Sequence, residues 1–145
     1  RRQDLLGEPG GVRVYDDFAH HPTAVNETLR ALRNKHRSGK LFAVFEPRSA
    51  TACRALHQAE YPKSFDAADV VMFAPLGRTT IPEGERLDLP RLANDLGPKA
   101  RVTSGVDEIV SALQASAKPG DTIAILSNGA FGNIYDKLLR SLGGS

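Results

Sequence analysis

The 145-residue sequence holds one cysteine, one methionine and no tryptophan. A lone thiol, Cys53, cannot close an internal disulfide, and this usage fits a reducing compartment and a cytoplasmic protein. No apolar run nears the ~20 residues that span a bilayer, and no leader pattern stands at the start, so no membrane partner is expected. Excess charge of one sign is lacking too. The 19 Lys and Arg residues and 17 Asp and Glu residues are interspersed and leave a formal charge of +2. Nucleic-acid surfaces concentrate basic residues in a stripe, so no nucleic-acid partner is expected either. The phosphate-cradling Gly-x-x-x-x-Gly-Lys-Ser/Thr loop is missing: the one Gly-Lys pair, Gly39-Lys40, is followed by Leu41 and precedes a strand. The Gly-x-Gly-x-x-Gly dinucleotide fingerprint is missing as well. With Met72 as the sole methionine, the chain opens on Arg1-Arg2 rather than on an initiator, and it reads as a fragment whose activity requires residues elsewhere.

The remaining composition, 41% hydrophobic and 25% charged, suits one globular domain over residues 1–145. Strand and helix signals alternate along it. Residues 3–6 and 12–15 flank the turn Gly7-Glu8-Pro9-Gly10-Gly11 and predict a hairpin. Pro22 opens a helix to about residue 33, since the N–H that proline lacks has no partner at the first helical position. Buried strands are predicted at 41–45, 69–74 and 122–126, and a brief one at 101–103. Helices are predicted over 52–59, 90–96 and 131–142. A further helix should follow Ser104, which with Asp107 matches a capping box. Residues 75–89, rich in Gly, Pro and charge, read as a long loop. The alternation predicts an α/β fold: a mostly parallel, Rossmann-like sheet with helices on both faces, plus an N-terminal antiparallel hairpin strand.

Ligands of open α/β sheets bind beyond the carboxyl ends of the strands. Asp16-Asp17-Phe18-Ala19-His20-His21-Pro22 crowds two carboxylates and two imidazoles into one strand-to-helix turn, where a helix N-terminus welcomes an anion. An ordinary N-cap turn explains the same residues equally well. A metal site is a third reading, weakened because adjacent histidines rarely point at one ion. In Glu46-Pro47-Arg48-Ser49, Arg48 could hold a carboxylate or phosphate through a two-pronged contact, or be a surface arginine. Ser127-Asn128-Gly129-Ala130-Phe131-Gly132 could offer backbone N–H groups to a ligand, or serve as a plain turn. Ala74-Pro75-Leu76-Gly77-Arg78 carries no specific chemistry.

Three of these segments resemble a known family. Val14-Tyr15-Asp16-Asp17-Phe18-Ala19-His20-His21-Pro22-Thr23-Ala24 closely resembles the opening of the C-terminal domain of the Mur ligases. Val44-Phe45-Glu46-Pro47-Arg48-Ser49 and Leu126-Ser127-Asn128-Gly129-Ala130-Phe131-Gly132 resemble later motifs of the branch that takes a tripeptide, and Arg1-Arg2 resembles the family's hinge arginine. The resemblance runs essentially end to end, with three motifs in order. The last motif departs from the family at Ala130, where a second glycine is usual, and near Tyr135, where a histidine is usual.

The resemblance implies a three-domain, ATP- and magnesium-dependent ligase whose partners are UDP-N-acetylmuramate, the tripeptide L-Ala-γ-D-Glu-meso-diaminopimelate and a central P-loop ATPase domain of the same chain. ATP and magnesium would be bound mainly by that central domain. ATP activates the muramoyl carboxylate as an acyl phosphate, and the peptide amine displaces phosphate, in peptidoglycan recycling. By the same resemblance Arg2 and Asp17 bind the nucleotide, with Asp17 at the ribose. His20 and His21 face the reaction centre as the catalytic pair. Arg48, Ser127, Asn128, Gly129 and Gly132 bind the peptide, and no metal ligand is assigned. Replacing Asp17 with Ala is then expected to weaken ATP use and leave the fold intact. Three alternatives stay open: the sibling ligase that adds L-alanine, a nucleotide-binding module without catalysis, and a metal-dependent phosphoesterase built on Asp16, Asp17, His20 and His21.

Overall fold

The computed structural model describes residues 2–49, 52–77, 80–127 and 129–143. Among them, six strands form one sheet: β1 (Asp4–Gly7), β2 (Arg13–Asp17), β3 (Leu41–Phe45), β4 (Val70–Phe73), β5 (Ala100–Val102) and β6 (Thr122–Leu126). Their order is β1-β2-β6-β3-β4-β5. Only β1 runs antiparallel, as the predicted hairpin partner of β2, and the other pairings are parallel. The expected α/β architecture is the one observed.

Strands β3 and β6 are buried along their whole length, which is why they read as unbroken apolar runs. Successive side chains point to opposite faces. Ala43 and Phe45 meet α1 (Pro22–Lys35), α2 (Tyr61–Ser64) and α3 (Leu89–Leu96) through Val25, Leu29, Leu32, Tyr61 and Leu92. Phe42 and Val44 face the other way, toward Ile109 and Leu113 of α4 (Val106–Ser116) and Ile134 and Leu138 of α5 (Ile134–Gly143). Each such side chain contributes about 1.5–3 kcal/mol on burial, so the two half-cores hold the helices on both faces.

Three local expectations need correction. The helix predicted over 52–59 is absent, with a single 3-10 turn at Ala55–His57 in its place. Tertiary pairing overrides helix propensity here. The Cys53 carbonyl accepts from the Leu87 N–H (2.8 Å), and Arg54 is extended in an antiparallel bridge with Arg86. The capping box before α4 uses Glu108 rather than Asp107. Both the Ser104 N–H and its hydroxyl donate to Glu108 (2.8 and 2.9 Å), while Asp107 pairs with Lys137 (3.0 Å). These two bonds from Ser104 hold the Glu108 carboxyl below its usual range. The last helix starts at Ile134, because the backbone of Phe131 to Asn133 is left-handed.

The register sets the functional edge. Asp17, Leu126, Phe45, Phe73 and Val102 lie abreast at the carboxyl ends of the parallel strands. The segments that follow therefore leave the sheet side by side.

Candidate functional site

The segment after β2 is organised by Asp17. Its side chain is only 1% exposed. Oδ1 accepts the Ala19 N–H (2.7 Å), while Oδ2 accepts the Gln3 N–H (2.9 Å) and the Thr28 hydroxyl (3.1 Å). Arg2 Nε stands 3.8 Å from Oδ2 and is the solvent-facing partner of this pair. Asp17 thus binds the start of the chain, the crossover and α1 at one point. Its neighbour Asp16, also buried, accepts a hydrogen bond from the Tyr135 hydroxyl, which ties the end of β2 to α5.

The two histidines take different places. His21 is the N-cap of α1: its Nδ1 accepts the Thr23 N–H (3.2 Å) with Pro22 at the first helical position. The N-cap reading is thus realised by His21, whose ring also packs edge-on against His57 at 4.6 Å between centroids. His20 bends back, with Nδ1 3.1 Å from the Phe18 carbonyl, and its own carbonyl accepts from the Tyr61 hydroxyl (2.5 Å). Burial raises the Tyr61 phenol far above its ordinary range, so it stays a neutral donor in this bond.

The segments after β3, β4 and β6 converge on Arg48. The Ser127 hydroxyl, fully buried, donates to Glu46 (2.6 Å) and accepts the Gly129 N–H (3.1 Å). A methyl group at Gly129 would fall 2.1 Å from Arg48 Cδ and 2.4 Å from its Nε. One at Gly77 would fall 2.9 Å from Arg48 Cγ. The Gly77 N–H donates to the Pro47 carbonyl (2.7 Å), so the β4 segment is fastened beside Arg48. The arginine therefore runs between two glycine backbones, each occupying the space that a side chain would need. Next to Gly77, from Leu76 onward, an open cleft of about 670 Å³ is bordered by Arg86, Leu87, Asp88, Arg91 and Val102.

The last loop is backbone-strained. Phe131, Gly132 and Asn133 have φ of 48°, 53° and 63°. A buried phenylalanine in the left-handed region is an uncommon and costly conformation, of the kind that gathers at ligand sites. Gly132 carries that geometry without penalty.

Of the sequence-predicted site residues, Arg48, Ser127 and Gly129 are brought together, and Arg2 and Asp17 form a second pair. His20 and His21 sit at the start of α1, with their closest polar contacts on backbone groups. Gly132 lies in the strained turn, and Asn128 falls outside the described residues. Sequence reasoning gave no role to Glu46, Gly77 or Tyr135. Glu46 stood inside a quoted motif, but nothing in the linear order placed it against Ser127, 81 positions away. Among the described residues no three His, Cys, Asp or Glu side chains are grouped to hold a metal ion. No described helix is long and apolar enough to cross a membrane.

Comparison with known proteins places the chain in a family. The family model for the Mur ligase, glutamate ligase domain, matches residues 1–129. The UDP-N-acetylmuramate--L-alanyl-gamma-D-glutamyl-meso-2,6-diaminoheptandioate ligase of Escherichia coli (strain K12) is 40% identical over 143 residues, covering 98% of this chain and 30% of the relative. A solved murein peptide ligase from Psychrobacter arcticus 273-4 has 35% identity and a TM-score of 0.81, over 100% of this chain and 30% of that one. A solved ligase domain from Haemophilus ducreyi 35000HP has 37% identity and a TM-score of 0.78, over 97% of this chain and 99% of that one. The chain thus spans about 30% of the length of the curated relative and aligns with nearly all of a domain solved by itself.

Proposed function

The chain belongs to the Mur ligase family as its C-terminal domain, and from that premise we propose that it presents the amine substrate in an ATP-dependent ligase that joins L-Ala-γ-D-Glu-meso-diaminopimelate to UDP-N-acetylmuramate in peptidoglycan recycling. The observation that carries this reading is Arg48, laid between Gly77 and Gly129 at the carboxyl edge of the sheet. A peptide rich in carboxylates calls for a guanidinium, whose planar fork matches a carboxylate.

The remaining residues take their places around that anchor. Ser127, Gly129 and Gly132 line the side on which the peptide would lie, and Asn128 is carried as a peptide-binding residue by the motif alone. Arg2, about half exposed, meets the nucleotide phosphates. Asp17 serves the ribose. Its carboxylate is enclosed by protein donors here, so direct contact requires the Gln3 N–H bond to open. His20 and His21 stand at the reacting end. The amine nitrogen bonds to the activated muramoyl carbon, the carbon–oxygen bond to phosphate breaks, and the amine gives up a proton; the histidine pair is the group to receive it. ATP and magnesium belong mainly to a central domain beyond this chain.

The test is an assay of the full-length protein with UDP-N-acetylmuramate, ATP and either the tripeptide or L-alanine, following phosphate release and product mass. Tripeptide consumption is expected. Consumption of L-alanine alone overturns the substrate assignment. The 145-residue chain by itself is expected to hydrolyse no ATP and form no amide, and turnover by it would overturn the division of labour between domains.

A further inference from the structure

We propose that Glu46 is a positioning residue for peptide recognition: through Ser127 it fixes the backbone at Gly129, and so the line along which Arg48 is presented. The inference rests on the reading of Arg48 as the peptide's carboxylate anchor.

Ser127 Oγ has lost all contact with water, so its hydrogen must go to a protein acceptor. Because Ser127 Oγ already accepts the Gly129 N–H at 3.1 Å, the direction of its own bond is set: it donates, at 2.6 Å, to Glu46 Oε1. A short bond to a carboxylate is the stronger kind, and it joins the segments following β3 and β6, which are 81 positions apart. The Gly129 backbone is thereby held in the one place where its missing side chain leaves room for Arg48 Cδ and Nε. On the other side, the bond from Gly77 N–H to Pro47 O fixes the second glycine wall (2.7 Å). Glu46 and Arg48 are two residues apart on one strand extension, and the route from the first to the second runs through another strand's loop. Recognition groups held this way lose affinity when their support loosens, even where nothing in direct contact has changed.

Two measurements test this, one independent of catalysis. In the 145-residue chain, the amide signal of Gly129 and the Nε–H signal of Arg48 are followed by NMR in Glu46→Ala and Glu46→Gln. In the full-length protein, KM for the tripeptide and for ATP is measured with the same variants. Glu46→Ala is expected to shift or broaden both signals and to raise the tripeptide KM roughly tenfold, with the ATP KM within about twofold. Glu46→Gln keeps an oxygen acceptor for Ser127 and is expected to restore both readouts. A loss of folded protein would lower the maximal rate and leave KM alone, so the split separates positioning from stability. If Glu46→Gln is as impaired as Glu46→Ala, the carboxylate charge itself is needed and the proposal falls. It also falls if Glu46→Ala leaves the NMR signals and KM unchanged. If the wild-type protein does not use the tripeptide while the NMR shifts occur and are rescued by Glu46→Gln, the proposed function falls and the positioning role stands.

Discussion

Replacing Asp17 with Ala should destabilise the domain, contrary to what the motif alone suggests. In the folded chain this carboxylate satisfies the Ala19 N–H, the Thr28 hydroxyl and the Gln3 N–H, and the first two of those bonds are buried. Each buried donor left without an acceptor costs about 1–3 kcal/mol, so two of them predict a loss of about 2–6 kcal/mol. A domain of this size has roughly 5–15 kcal/mol in total, and the melting temperature should fall by roughly 10 °C or more. Urea unfolding of the 145-residue chain measures the loss directly, with the m value unchanged if the native state is otherwise intact. Thr28→Val removes one of the orphaned donors, so adding it to Asp17→Ala should recover part of the loss. A loss below about 1 kcal/mol, or strict additivity of the two variants, would refute the argument that Asp17 holds three segments together. The consequence for function is direct: a raised ATP KM in Asp17→Ala reads as a ribose contact only after correction for the folded fraction.

Gly129→Ala should separate stability from recognition. Its methyl group meets the flexible outer part of Arg48, which can move aside, so stability should stay within about 1 kcal/mol while the tripeptide KM of the full-length protein rises roughly tenfold. A large fall in melting temperature with an unchanged KM would contradict this. His36 gives a pH signature. Burial, and then the charges of Arg13 and Lys35, lower its pKa from the ordinary 6.5, and its Nε2 lies 2.7 Å from the Tyr15 hydroxyl. As the pH falls through 6.5 the unfolded chain gains a proton that the folded chain resists, so stability declines until the lower folded value is passed. His36→Gln should flatten that decline as the pH falls through 6.5 in denaturant titrations, and an unchanged slope would count against it.

The elements whose signals are local were legible from the start. Leu41–Phe45 and Thr122–Leu126 have the bounds that their apolar runs predict, and Pro22 does open α1. The stretch around Ala55 failed because its fate depends on Leu87 and Arg86, more than thirty positions away, which draw the backbone into pairing. Ser104 was recognised as a cap, but one turn of geometry chose Glu108 over Asp107 as its partner. In the site, Arg48, Ser127 and Gly129 could be named because their motifs are contiguous. Phe131 could not, since a left-handed phenylalanine leaves no mark in composition.

The sequence by itself determined the alternation of strand and helix, the parallel sheet it implies, and which segments lie at the carboxyl edge, because hydrophobic periodicity and turn chemistry act over a few residues. It also carried the motifs that lead to the Mur ligases. Only the tertiary structure decided what those motif residues do to each other. Asp17 looked like a ligand and also holds neighbouring segments together, while Glu46 looked incidental and accepts the Ser127 hydroxyl's hydrogen bond. The physical reason is that the strand order β2-β6-β3-β4 sets side by side segments that are far apart in sequence. Hydrogen bonds and glycine-sized gaps between neighbouring loops are properties of that order, and no single segment encodes them.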